Sequence, residues 1–340
     1  MPVTIKDVAK RVGKSVTTVS RALHGYDDVS NETRLLVEQA ADEMGYRPNT
    51  LAQRLQKRAT DTLGLVLPTF GPRFSDPFFS EFLAGIGNKA ADFGYDLLVS
   101  TQPPGEREML AYKQAVESRR VDGFVIVRTR MQDERINYLR EIDFPFVAFG
   151  RVDQDLDFSY VDEDSYHGMR LIAGHIIQQG FLRAACIAPE PELMFAKHRL
   201  EGFRDGLTAA GHQLEERYLK YSDLTQRGGY EMASELLGLK EPPNAIAACN
   251  DLMAFGAIRA AHEHGLTIGE EIAITGFDDI PMSEHIHPPL TTVNQPIYEI
   301  GVRVCEMLIH RIQSKPSKHE QVILLPSLVI RQSTGIFIKT

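Results

Sequence analysis

The sequence predicts an α/β protein: a three-helix head carrying a helix-turn-helix, a short hinge helix, and two doubly wound parallel-sheet subdomains. Three observations predict it. Residues 1–46 contain three short apolar stripes at helical spacing, each preceded by a hydroxyl residue and followed by glycine. From residue 61 onward, buried strand runs alternate with amphipathic helices, in two successive sets. Charge is uneven: the chain is −9 overall, yet residues 1–60 hold ten Lys and Arg against seven Asp and Glu, and residues 1–26 hold five against one. A basic head on an acidic body fits a DNA-binding module joined to a regulatory domain. A chance fluctuation is the competing reading of that charge.

The first helix follows Thr4-Ile5-Lys6-Asp7, a hydroxyl N-cap with a carboxylate three residues on. Ile5, Val8, Ala9 and Val12 form its apolar stripe, and Gly13 permits a sharp turn. Ser15 caps the second helix, which buries Val19, Ala22 and Leu23 and ends at Gly25. Ser30 caps the third, with Leu36, Val37, Ala40, Ala41 and Met44 as its buried face and Gly45 as its stop. In a helix-turn-helix the second helix enters the major groove. Its outward residues here are Val16, Thr17, Ser20 and Arg21. Val16 suits a thymine methyl, Thr17 a base edge, and Arg21 the O6 and N7 of guanine. Thr18 and Ser20 suit phosphate oxygens. A solvated helix face is the alternative, and a run with one charge in six residues speaks against it.

Arg47-Pro48-Asn49 ends the third helix, because the residue before proline avoids helical angles. Asn49 can cap a helix over residues 50–57, too short to be stable alone. On the residues alone Leu55 reads as an ordinary core leucine, sharing a face with Leu51.

Beyond the hinge, residues 63–67 predict a buried strand and 78–93 a helix stopped by Gly94. Strands follow at 95–100, 122–127 and 146–149, with a helix near 106–118. In the second half a helix ends at Gly180, a strand at Ala188 and a helix at Gly211; strands follow at 245–249 and 272–276. Some 280 residues exceed one such sheet, so two subdomains with a cleft are expected. In open parallel sheets ligands sit beyond the carboxyl ends of strands. The polar and aromatic residues there are Asp76, Phe78 and Phe79, Arg128, Arg151, Asn250 and Asp278, with Arg199 opening a helix. Arg130 and Asp133 also follow a strand and point to the cleft. Carboxylates, an amide, guanidinium groups and aromatics suit a sugar, with hydroxyls read by polar groups and a C–H face on a ring. Helix capping by Asn250 and Asp278, and a surface ion pair for Arg199, stand equally on the residues alone.

Other chemistry is not supported. Gly13-Lys14-Ser15 lacks the upstream glycine and the strand of a phosphate loop. Gly85-Ile86-Gly87 falls inside a helix, where glycines serve close packing rather than a dinucleotide. His262 and His264 do not share a helical face, and no metal triad, nucleophile elbow or cofactor loop is found, so neither a metal, a cofactor nor an enzyme is expected. The apolar content of 43% and charged content of 24% exclude a disordered or collagen-like chain. No apolar run spans a membrane, and Lys6 and Asp7 interrupt any signal peptide, so a cytoplasmic protein is expected. Cys186, Cys249 and Cys305 then read as reduced thiols.

Several runs carry a family resemblance. Val3–Lys10, Thr18-Val19-Ser20-Arg21-Ala22-Leu23-His24-Gly25, Val29–Arg34 and Ala41–Asn49 resemble the head of the lactose-repressor (LacI/GalR) family of bacterial transcription regulators. Arg199–Phe203, Cys249–Ala254, Gly276–Asp279 and Pro289–Val293 resemble its effector domain, whose fold is similar to periplasmic sugar-binding proteins. The resemblance implies a head at 1–46, a hinge at 47–60 and an effector-binding and dimerisation domain at 61–340. One subdomain would take about 61–161 and 293–323, the other about 162–292 and 324–340. It implies a homodimer on palindromic operator DNA, with Thr4, Ser15 and Asn49 among the DNA contacts, Leu55 as a minor-groove wedge and Lys57 on phosphate. It assigns the effector to Arg199, Asn250 and Asp278. Two departures touch the ligand: Gly150 stands where many members have Asp, and Leu224 where several have an aromatic. Residues 68–77 and 128–133 resemble a subgroup tied to α-glucoside use. No heptad tail follows Arg331–Thr334, so a dimer rather than a tetramer is expected. The rival is a sugar-transport binding protein, which has no use for such a head.

Overall fold

The computed structural model describes residues 3–23, 26–47, 59–69, 76–313 and 318–335. The expected hinge residues Asn49, Leu55 and Lys57 lie outside them. Two compact units divide the chain, residues 1–60 and 61–340.

In the first unit, α1 (Ile5–Val12), α2 (Val16–Leu23) and α3 (Asn31–Glu43) enclose a core of Val8, Val19, Ala22, Val29, Val37 and Ala40. Asp7 accepts both the Thr4 amide at 2.9 Å and the Thr4 hydroxyl at 2.7 Å, which fixes the start of α1. Those hydrogen bonds hold the Asp7 carboxyl below its usual range. Gly13, at φ 65°, makes the left-handed turn into α2. Leu36, expected inside, is exposed, as is Leu35. The buried row of α3 runs Val37, Ala40, Ala41, and Leu36 lies one position, about 100°, off it.

In the second unit one sheet of six parallel strands has the order β11-β5-β4-β3-β1-β2, with β1 Thr62–Pro68, β2 Asp96–Gln102, β3 Gly123–Ile126, β4 Phe146–Phe149, β5 Tyr160–Glu163 and β11 Gln321–Leu324. Its side chains alternate strictly. Leu63, Leu65, Val125 and Val147 face α4 (Pro77–Asp92) and α11 (Ile297–Gln313). Val66, Phe124, Ile126 and Phe146 face α5 (Glu106–Glu117) and α6 (Glu134–Glu141).

The second sheet has four parallel strands in the order β7-β6-β8-β9: β6 Ala184–Pro189, β7 Leu219–Ser222, β8 Ala245–Ala248 and β9 Ala273–Thr275. Helices α7 (Ser165–Gln178) and α8 (Met194–Ala209) pack together, as do α9 (Gln226–Leu237) and α10 (Asp251–Glu263). An antiparallel pair, β10 (Thr292–Asn294) with β12 (Ser327–Val329), runs beside the end of β9, where the Gly276 amide donates to the Thr291 carbonyl and the Asp278 amide to the Val293 carbonyl. The chain therefore passes between subdomains near 164, near 292–297 and near 325. The first sheet runs to Glu163, so Asp162 and Glu163 sit at its strand ends.

Glycine sets the spacing of helix pairs. A Cβ at Gly85 would overlap the Tyr298 carbonyl, and one at Gly301 would lie 2.5 Å from the Phe82 carbonyl, so α4 and α11 touch through backbone. Gly87, expected to serve the same packing, faces open space. The two positions therefore respond oppositely to alanine. Gly85→Ala should cost about 1–3 kcal/mol by overpacking, and Gly87→Ala should gain about 0.5–1 kcal/mol by helix propensity. Urea unfolding of both variants measures this. Equal effects would exclude the backbone contact.

Candidate functional site

The first candidate site is the outer face of α2. Val16, Thr17 and Arg21 are exposed, and Thr18 and Ser20 are half-buried. Ser15 caps the helix, accepting the Thr18 amide at 3.0 Å, and its hydroxyl meets that of Thr18 at 2.8 Å. One hydroxyl proton is thus shared between the pair, and the other is available to an oxygen beyond the helix. Thr4 spends its hydroxyl proton on Asp7, so toward a phosphate it offers no donor while that bond lasts. Arg21 is held by Asp28 and lies over Tyr26.

The second candidate site is a cavity between the two sheets, with about 620 Å³ of empty space that includes its open mouth. All eight residues expected at strand ends line it: Asp76, Phe78, Phe79, Arg128, Arg151, Arg199, Asn250 and Asp278. Phe78 and Phe149 stack at 5.8 Å and 15° to form one wall. Asp76 caps α4 through the Phe78 amide and takes Arg128 at 3.1 Å. Arg128 lies 5.1 Å over the Phe79 ring. Arg151 reaches Asp162 at 2.6 Å and His198 Nδ1 at 3.3 Å. Arg199 lies in the second turn of α8, not at its start as expected, because the helix begins five residues earlier. Its guanidinium lies between the rings of Phe195 and Phe277, 4.9 and 3.7 Å from their centres. It pairs with Glu163 at 3.2 Å and Asp278 at 3.6 Å, and donates to the Cys249 carbonyl. Asn250 caps α10 through Met253 at 2.9 Å and donates to the Leu224 carbonyl at 3.0 Å. Capping and cavity lining, alternatives on the sequence alone, are both true of Asn250.

Every arginine here faces a carboxylate, and burial weakens the carboxylate charge. Burial and the neighbouring Glu163 push Asp162 up to about 7, against the pull of Arg151. Burial raises Asp278 well above its ordinary range and raises Asp76 despite Arg128. Burial, with Arg151, lowers His198 to about 4, so its ring is neutral at pH 7. The site is a set of paired donors and acceptors with little net charge.

Arg130 and Asp133, expected to reach the cleft, do not line it. They join Glu108 and Arg135 in a buried network behind the loop that follows β3. That loop crosses to the other subdomain. The Met131 amide donates to Glu192 and the Met194 amide to Thr129, both at 2.9 Å, and Lys197 pairs with Asp153 at 2.7 Å. Gly150, at φ 114°, sits where a Cβ would overlap the Thr129 hydroxyl, so an aspartate there has no room. Leu224 lines the cavity at φ 66°.

Sequence reasoning missed Asp162, Glu163, Thr129, Phe149, Phe195 and Gln295, which also line the cavity. Tyr160-Val161-Asp162-Glu163 went unread as a strand, although its acidic end follows the rule that found Asp278. Gln295 directly follows the short strand β10 and falls under the same rule, whereas Phe195 lies in the first turn of α8 and follows no strand. Among the described residues no cluster has the makings of a metal site, and no helix is long and apolar enough to cross a membrane.

Residues 4–49 match the description "Bacterial regulatory proteins, lacI family", and residues 173–334 match "Periplasmic binding protein-like domain". The HTH-type transcriptional regulator AglR of Rhizobium meliloti (strain 1021) is 35% identical over 98% of this chain and 95% of its own. The HTH-type transcriptional repressor CytR of Escherichia coli (strain K12) is 32% identical over 97% and 96%. Among solved structures, the Lac repressor dimer bound to operator and the anti-inducer ONPF is similar at TM-score 0.87 and 28% identity, over 99% of this chain and all of that one. A complex of the regulator CelR with cellobiose is similar at TM-score 0.76 and 31% identity, over 97% and 99%.

The buried proton on Asp162 has a measurable consequence. Between its ordinary 3.8 and about 7 the folded protein holds a proton that the unfolded chain has released. Stability therefore rises as pH falls through about 7, and the gain is complete below about 4. Asp162→Asn removes this titration. The Tm of the native protein relative to this variant should rise between pH 8 and 6. A constant difference across that range would exclude the buried proton.

Proposed function

The chain belongs to the lacI family of bacterial regulatory proteins, as a sequence-specific DNA-binding transcriptional regulator, and from that premise we propose that it is a repressor controlled by a neutral sugar held between its two sheets. The observation that carries the ligand class is hydrogen-bond pairing along the cavity wall. Each of Arg128, Arg151 and Arg199 already donates to a carboxyl group, so among the described lining residues no guanidinium is left without a partner for a phosphate to take. Hydroxyls suit such a surface, since each can donate to a carboxylate and accept from a guanidinium. The Phe78–Phe149 wall offers a face for sugar C–H groups. The resemblance of residues 68–77 and 128–133 to a subgroup tied to α-glucoside use makes α-glucosides the first class to test; the cellobiose complex of CelR makes β-glucosides the second.

The operator would be read by Val16, Thr17, Ser20 and Arg21, with Thr4, Ser15 and Thr18 near phosphates and Asn49, Leu55 and Lys57 in the hinge. A homodimer supplies two heads for a two-fold operator. Support for pairing lies in β2, an edge strand with Leu98 and Val99 about two-fifths exposed. The effector changes operator affinity only by its differential affinity for the two arrangements of the subdomains. A transport protein is the weaker reading, since a matched lacI head has no role in transport.

Thermal melting against neutral and phosphorylated mono- and disaccharides tests the ligand class. A neutral glucoside should raise the Tm of the native protein, and Arg199→Leu should abolish the shift. A response to phosphorylated sugars alone, or to none of the panel, would overturn the neutral-sugar reading. Leu98→Asp and Val99→Asp should each weaken self-association on the order of tenfold or more in sedimentation. Unchanged association would move the dimer surface away from β2.

A further inference from the structure

The turn after α2 holds the Arg21 side chain along one edge and one face. Asp28 takes Arg21 Nε at 3.0 Å on one carboxylate oxygen and Nη2 at 2.5 Å on the other. The Tyr26 ring lies beneath, 5.1 Å from the guanidinium carbon. The turn itself is stitched to both neighbouring helices. The Tyr26 amide donates to the Arg21 carbonyl at 3.1 Å, and Arg34 of α3 donates to the Tyr26 carbonyl at 3.1 Å. Val29, next along, is buried in the head core. Asp28 and Tyr26 therefore sit on a fixed platform.

Stability does not explain this arrangement. The Arg21 and Asp28 side chains are 46% and 52% exposed, and an ion pair so wet adds little to folding. A carboxylate on a face that approaches phosphates also lowers non-specific affinity for DNA. The geometry offers a different role. A guanidinium has five donors in a rigid fork. Asp28 occupies the Nε–Nη2 edge, which leaves the terminal Nη1–Nη2 edge with two parallel N–H groups. That edge matches O6 and N7 of guanine.

We propose that Asp28 is a positioning residue for base recognition: it grips Arg21 by its side edge and presents the terminal edge to one guanine in each operator half-site. This deepens the proposed reading of Arg21 and rests on it. Asp28 lowers the entropy lost when Arg21 binds, because the fork is already oriented. It also makes Arg21 less free to swing to a nearby phosphate, which disfavours sequence-independent contacts.

The test uses the full-length protein and the duplex that the native protein selects from a randomised pool. Affinity is then measured for each single base-pair change, and for a non-specific duplex, by fluorescence anisotropy at fixed salt. Arg21→Ala should flatten preference at one base pair of each half-site, by about five- to a hundredfold. Asp28→Asn and Asp28→Ala should lose about three- to tenfold of discrimination at that same base pair and none elsewhere. Their affinity for the non-specific duplex should stay level or rise, because a negative charge is gone. Both sites are exposed, and melting curves check that the head remains folded. If Arg21→Ala leaves base preference intact, the reading of Arg21 and the role of Asp28 fall together. If Arg21→Ala flattens it and the Asp28 variants do not, or lose affinity evenly at all positions, only the role of Asp28 falls.

Discussion

Arg135 spends all five of its N–H donors inside the protein, and the cavity between the two sheets is built on that constraint. Its Nε and Nη2 reach Asp133 at 2.9 and 2.6 Å, its Nη1 reaches Glu108 at 2.7 Å, and the carbonyls of Val127 and Arg128 take the remaining two at 3.1 and 3.0 Å. The side chain is fully buried. A guanidinium in that position is tolerable only when every donor is satisfied, because an unpaired buried charge costs several kcal/mol, about 3–5 when one partner is lost. The acids pull the Arg135 pKa upward, against burial. Two of its acceptors are carbonyls of the loop after β3, so the charge network dictates the path of that loop.

The loop then performs two tasks. It sets Arg128 and Thr129 on the cavity wall, and it pairs with residues 192–194 of the other subdomain. The cavity wall and the contact between subdomains therefore share one segment. Any pull on Arg128 acts on the same backbone that spans the cleft. This is the physical form that coupling takes in a two-state device: one packed element, biased from two sides. The tight seat of Gly150 under Thr129 belongs to the same arrangement.

The head is built on the opposite principle. Its core is small and apolar, and its polar groups are spent on caps: Asp7 on Thr4, Ser15 on Thr18, Ser30 on Thr33. Caps fix where each helix starts, and so which residues of α2 face outward. Arg21 is the exception, ordered by a neighbouring acid and ring rather than by burial. In both units arginines are oriented by carboxylates before any ligand arrives, which reduces the ordering cost of binding.

The helices of the head, the alternation of strand and helix, and the eight cavity residues at strand ends or nearby are legible in the chain alone. These follow from local causes: apolar periodicity, capping hydroxyls, glycines at left-handed turns, and the rule that ligands sit beyond the ends of parallel strands. Contacts between distant parts of the chain set the rest. Arg130 and Asp133 carry the same residue types as Arg128 and Asp76, yet they turn away from the cavity because Arg135 and Glu108 lie behind the loop. Phe195 reaches the cavity from the first turn of α8, with no local pattern to announce it. Leu36 is exposed because α3 turns Val37 and Ala40 inward. Gly85 and Gly87 look alike in sequence, and only the carbonyl of Tyr298 tells them apart. In each case the deciding neighbour is distant in the chain, and periodicity carries no information about it.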